Sequence, residues 1–123
     1  MDELADFLMA RIEEDEGFAQ DAVDEGHDWR VEESTIRLWP EDLEPADGHL
    51  AFPREAHARH ATMWSPARVL EECTAKKFIV EDYRAALNAH RTGWDVRRPR
   101  DYPLRALAVA YADHPDYQPD WRL

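Results

Sequence analysis

Apolar residues at the start of the chain recur with a helical period. Leu4, Leu8, Ile12, Ala19 and Ala22 or Val23 follow one another at spacings of 3, 4 and 7, and Phe7 and Phe18 widen the stripe. The spacing predicts an amphipathic helix from Asp2 to about Glu25, with Gly17 weakening its middle and Gly26 ending it. Over residues 29–39 the period changes. The run WRVEESTIRLW is β-branched and aromatic, turn chemistry follows from Pro40 to Gly48, and His49–Phe52 offers a return strand. A small β-hairpin, or a sheet of two to three strands, is the economical reading. Glu55–Thr62 has the makings of one or two helical turns.

Ser65-Pro66 is a clean start signal, because serine caps exposed N–H groups and proline loses no donor at the first helical position. A long helix is predicted from Pro66 to about His90, its inner row being Val69 or Leu70, Cys73, Lys76 or Lys77, Val80, Tyr83 and Leu87. A shorter helix from Tyr102 or Pro103 to Ala112 follows a basic loop. The tail carries Pro115 and Pro119, which predicts an extended segment pinned by Tyr117 and Trp121. The expected fold is α+β and mostly α: N-terminal helix, small β-hairpin, long central helix, short C-terminal helix and extended tail. At 123 residues, 44% hydrophobic, the chain predicts a single domain over 1–123 with a real core.

Charge changes the picture of what the helices are for. The net charge is −12, from 27 acidic and 15 basic residues. Residues 1–34 hold 13 acids and 2 bases, whereas residues 57–100 hold 5 acids and 9 bases. This asymmetry predicts that the acidic first helix leans on the more basic middle of the same chain. A field of this sign repels polyanions, so general nucleic-acid binding is disfavoured. The longest apolar run is Ala106–Ala112, too short for a bilayer, and Asp2, Glu3 and Asp6 are the wrong sign for a secretory leader, so none is expected. The lone Cys73 excludes an internal disulfide. A cytoplasmic protein is expected.

Several pieces of the sequence resemble a family of small acidic proteins of unknown function from actinobacteria and their phages. They are FLMARIEEDE at 7–16, ARH at 58–60, PARVLEE at 66–72 with Ala75-Lys76, and LRALAVAYADHPDY with Trp121. Two departures stand out: Ala61–Ser65 separates the histidine motif from the PARVL helix, and Phe78 follows Lys77 where a basic run is usual. The resemblance implies a single-domain soluble protein and brings no catalytic residue with it.

Four constellations could carry chemistry. Asp15 lies on the apolar row of the first helix and Lys76 on that of the long helix, which suggests a buried structural ion pair or a tuned acid and base. His57 and His60, three apart, could join a carboxylate in holding a transition metal, although no familiar ligand spacing supports it. Glu13 and Glu16 form an E-x-x-E pair like that of the all-α MazG-like nucleotide pyrophosphohydrolases. The second carboxylate pair would have to come from Glu25/Asp28 or Glu44/Asp47, and neither has an inward helical setting. Arg91, Trp94, Arg97, Arg98, Arg100 and Tyr102 mix cations with aromatics, as in phosphate- or base-binding surfaces. The balance favours a non-catalytic protein-interaction or regulatory module, its surface comprising Glu13, Glu14, Glu16, Trp94, Arg97 and Arg98, with no cofactor. A partner that expects phosphates could be engaged by carboxylates instead. A small metal- or nucleotide-dependent hydrolase is the alternative, and a structural subunit or homodimer is a third class.

Overall fold

A computed structural model of the chain describes residues 2–25, 28–32, 35–39, 49–51, 54–88 and 99–123. Among these residues are four α-helices, α1 (Glu3–Glu25), α2 (Glu55–Met63), α3 (Pro66–Asn88) and α4 (Tyr102–Ala108), and three strands, β1 (Asp28–Glu32), β2 (Thr35–Trp39) and β3 (His49–Ala51). The chain divides into two compact units. One comprises Met1–Glu14 with Cys73–Leu123, and the other Asp15–Glu72.

In the first unit the core follows the helical period of the sequence. Leu4, Ala5, Phe7, Leu8 and Ile12 of α1 are buried, as are Cys73, Val80, Tyr83 and Ala86 of α3 and Leu104 and Ala108 of α4. Asp2 starts α1: its carboxylate accepts the N–H groups of Leu4 at 3.1 Å and Ala5 at 3.2 Å, which satisfies donors left open by the first turn. The same carboxylate accepts a hydrogen bond from the Tyr83 hydroxyl. Burial and this acceptor both hold the Tyr83 phenol well above its ordinary pKa, with the Asp101 charge adding to the effect.

The C-terminal tail differs from its expected extended form. After α4 the chain makes a 3-10 turn at Val109–Tyr111 and a second at Pro119–Trp121. Backbone N–H groups of His114, Tyr117 and Trp121 donate to the carbonyls of Tyr111, His114 and Gln118 at 2.9–3.0 Å. Proline explains this. Pro119 opens the second turn with a fixed φ, and Gln118 before it takes the extended conformation that proline imposes on its neighbour. Trp121 is buried, so the expectation that it anchors the tail holds.

In the second unit, β1 and β2 pair antiparallel with Val31 opposite Ile36, and β2 and β3 with Ile36 opposite Leu50, in the order β1-β2-β3. Helix α2 lies alongside β1 and β2. It is a full nine-residue helix, longer than the one or two turns expected, and buries Ala58. Ser65 then caps α3 as the sequence indicates, its hydroxyl accepting from the Arg68 N–H at 3.4 Å and its carbonyl from the Val69 N–H at 3.0 Å.

The α+β expectation needs correction. In the unit of Met1–Glu14 with Cys73–Leu123 every described element is helical, from α1, α3 and α4 to the two 3-10 turns, and β1, β2 and β3 all belong to the other unit. This part of the molecule is all-α rather than α+β, and no β-hairpin enters its described core. The physical reason is that helices α1, α3 and α4 carry complementary apolar stripes and bury one another without needing a sheet.

Candidate functional site

Two surface features of the first unit are built from residues that the sequence does not place together. The first surrounds Phe7. Its ring meets Tyr111 at 6.4 Å, His114 at 5.5 Å, Tyr117 at 6.2 Å and Trp121 at 5.0 Å between centroids, the first three edge to face. The Arg11 guanidinium lies over the same ring at 5.4 Å. Helical spacing explains the pairing, since Phe7 and Arg11 are four apart on α1.

Arg11 is also the polar centre of this cluster. Its side chain is 13% exposed. It donates to both oxygens of Glu14, at 3.0 and 2.8 Å, approaches His114 Nδ1 at 3.4 Å, and lies 4.0 Å from Asp116. His114 Nδ1 accepts the Asp116 N–H at 3.1 Å, so this geometry assigns the ring proton to Nε2. One imidazole nitrogen and the guanidinium fork are thereby used in holding the YADHPDY segment on α1. The cluster works as a staple between the two ends of the sequence. Both segments are among the pieces that carry the family resemblance; the four-residue spacing puts Phe7 and Arg11 on one face of α1, and only the fold brings the tail to that face.

The second feature is an open groove of about 680 Å³ lined by Asp2, Glu3, Leu4, Asp6, Arg84, Leu87, Asn88, Asp101 and Trp121. Each of its carboxylates has a partner. Asp2 caps α1, Glu3 accepts from Gln118 at 2.9 Å, Asp6 accepts from Arg84, and Asp101 accepts from Arg105 at 3.0 Å. Asp6–Arg84 joins an acid of α1 to a base of α3, the kind of pairing that the charge asymmetry predicts. These carboxylates neutralise or orient neighbours, which leaves the groove a structural seam with a polar rim.

The residues singled out from the sequence are placed as follows. Asp15 and Lys76 are partly exposed and belong to different units, and among the described residues no polar or charged side chain is buried. His57 and His60 share a face of α2 and are exposed, with Arg59 between them tied to Glu55 at 2.8 Å. Glu13 and Glu14 are exposed, and Glu16 is half-exposed. Among the described residues no group of three or more His, Cys, Asp or Glu side chains could hold a metal ion. Trp94, Arg97 and Arg98, together with Arg91 and the Glu44/Asp47 pair, lie outside the described residues, and the side chains of Glu25 and Asp28 do too. Phe18, expected to widen the core stripe, is 76% exposed. It sits on the face of α1 shared with Glu14 and Asp21, four and three residues away.

No helix among the described residues is long and apolar enough to cross a membrane. The chain belongs to a family of unknown function, DUF6221, whose model matches residues 1–123. No curated protein and no solved structure matches it.

Proposed function

We propose that this member of the family is a non-catalytic interaction module that binds a basic partner protein through the exposed face of α1. The observation that carries this reading is Phe18, a large aromatic left 76% exposed beside the exposed carboxylate of Asp21 on the same face of α1. An isolated surface aromatic means little, but one beside an exposed carboxylate on a chain of net charge −12 combines the two ingredients of a protein-binding patch. The aromatic supplies an apolar anchor, and the carboxylates supply long-range attraction and orientation. Asp24, three residues after Asp21, extends the acidic surface.

Affinity capture from a lysate of the source organism at graded salt tests it. A specific partner should be retained at low salt and released as ionic strength rises, and Phe18→Ser should lose it without lowering thermal stability. Retention indifferent to both salt and Phe18 would defeat the reading. So would a clear thermal stabilisation of the purified protein by Mg²⁺, Mn²⁺, Zn²⁺ or a nucleoside triphosphate, lost on replacing His57 and His60 or Glu13 and Glu16. That result would turn attention to hydrolysis.

A further inference from the structure

Helix α3 is apolar on two sides. Cys73, Val80 and Tyr83 face the core, yet Phe78 is 66% and Ile79 42% exposed. Phe78 precedes Val80 by two residues, about 200° around a helix, and therefore cannot share the buried face. A helix at a surface normally presents one apolar stripe; a second one is an unfilled contact. The neighbourhood shapes it. Phe78, Ile79, Asp82 and Tyr83 of α3, with Pro103 and Leu104 of α4, line a groove of about 250 Å³. Pockets for small molecules run from about 300 to 1,000 Å³, so this one is sized for inserted side chains rather than a free metabolite.

Charge selects the occupant. A second copy would bring another −12 to a groove whose rim already holds Asp82, with exposed Glu81 beside it, and a symmetric pair would set like charges against each other. A cationic partner gains from the same field. Two helices bordering an apolar groove also suit a third helix, whose apolar ridge enters while its polar side stays wet. We infer that the groove between α3 and α4 docks a basic amphipathic helix of a partner protein, with its apolar side on Phe78 and Ile79 and its lysines or arginines toward Asp82 and Glu81. This specifies the partner chemistry in the interaction-module reading and rests on it, but it uses a different face.

Fluorescence anisotropy with a labelled leucine/lysine amphipathic peptide of about 15 residues, long enough to form a helix, tests the groove. A peptide of equal charge with serine at every leucine position is the control. The leucine peptide should bind the intact protein and gain helicity. Phe78→Ser should weaken it about tenfold or more, and Phe78→Leu should restore most of the affinity, with thermal midpoints unchanged because Phe78 is exposed. Equal binding of both peptides, or binding that ignores Phe78 but disappears on neutralising Asp21 and Asp24, overturns the groove while leaving α1 as the binding face. No binding of either peptide overturns the groove, whereas the α1 reading stands or falls by its own salt-dependent capture. A protein that sediments as a dimer, and as a monomer after Phe78→Ser, would show that a second copy is the occupant and overturn the basic partner.

Discussion

Phe7 touches four aromatic rings and one guanidinium, so it joins the first turns of α1 to the last residues of the chain. Replacing it with alanine removes a buried ring and its edge contacts, and should lower stability in urea by about 3–5 kcal/mol. Near-UV circular dichroism should fall with it, as Tyr117 and Trp121 lose the ring against which they are ordered. Tyr83 gives a pH signature. Its pKa is raised in the folded state, so the native protein holds the phenolic proton that the unfolded chain releases above about pH 10. The stabilisation is therefore complete below about pH 10 and declines as pH rises toward the folded value. Tyr83→Phe should cost about 1 kcal/mol at neutral pH, through the lost bond to Asp2, and should flatten the alkaline decline between about pH 10 and 12. Urea midpoints across that range are the measurement. Asp15→Ala, at a partly exposed position, should change stability by about 1 kcal/mol or less. A loss of about 3–5 kcal/mol would instead require a buried pair.

The elements differ in how openly the chain announces them. In α1 the row Leu4, Leu8, Ile12 and Ala19 is buried as its spacing implies, because three or four residues make one helical turn. Gly17 lies on the opposite side, and a methyl group added there would meet nothing within 4 Å. Gly17→Ala should therefore stabilise the protein by up to about 1 kcal/mol, read as a raised thermal midpoint. The start of α3 was equally legible, since Ser65 and Pro66 act within the first turn. Helix α2 was understated because its apolar residues are mostly alanine, and pattern alone gives such a segment little weight. The tail was misjudged because proline excludes a long helix without choosing between extended chain and tight turns. That choice fell to tertiary contacts, with Trp121 buried and Arg105 donating to the Asp120 carbonyl at 3.0 Å.

For the molecule as a whole the dominant fact is charge. A net charge of −12 on 123 residues is a self-repulsion that local pairs such as Asp6–Arg84 and Arg11–Glu14 offset only in part. Raising sodium chloride from about 10 to 300 mM shortens the Debye length from about 30 Å to well under 10 Å, and should raise the thermal midpoint. A midpoint that falls with salt would show that attractive pairs outweigh the repulsion. The same field argues for cationic partners at both candidate surfaces, the acidic face around Phe18 and the groove beside Phe78.

Sequence by itself determined the helical periods, the cap at Ser65, the sign and asymmetry of the charge, and most of the inner row of α1, because each depends on residues within a turn or two of one another. It could not say which apolar residues would be left over. Phe7 and Phe18 look alike on the stripe, yet one is buried among four rings and the other is exposed. Burial depends on what arrives from elsewhere in the chain: the tail reaches Phe7 from more than a hundred residues away, and only the folded arrangement decides that.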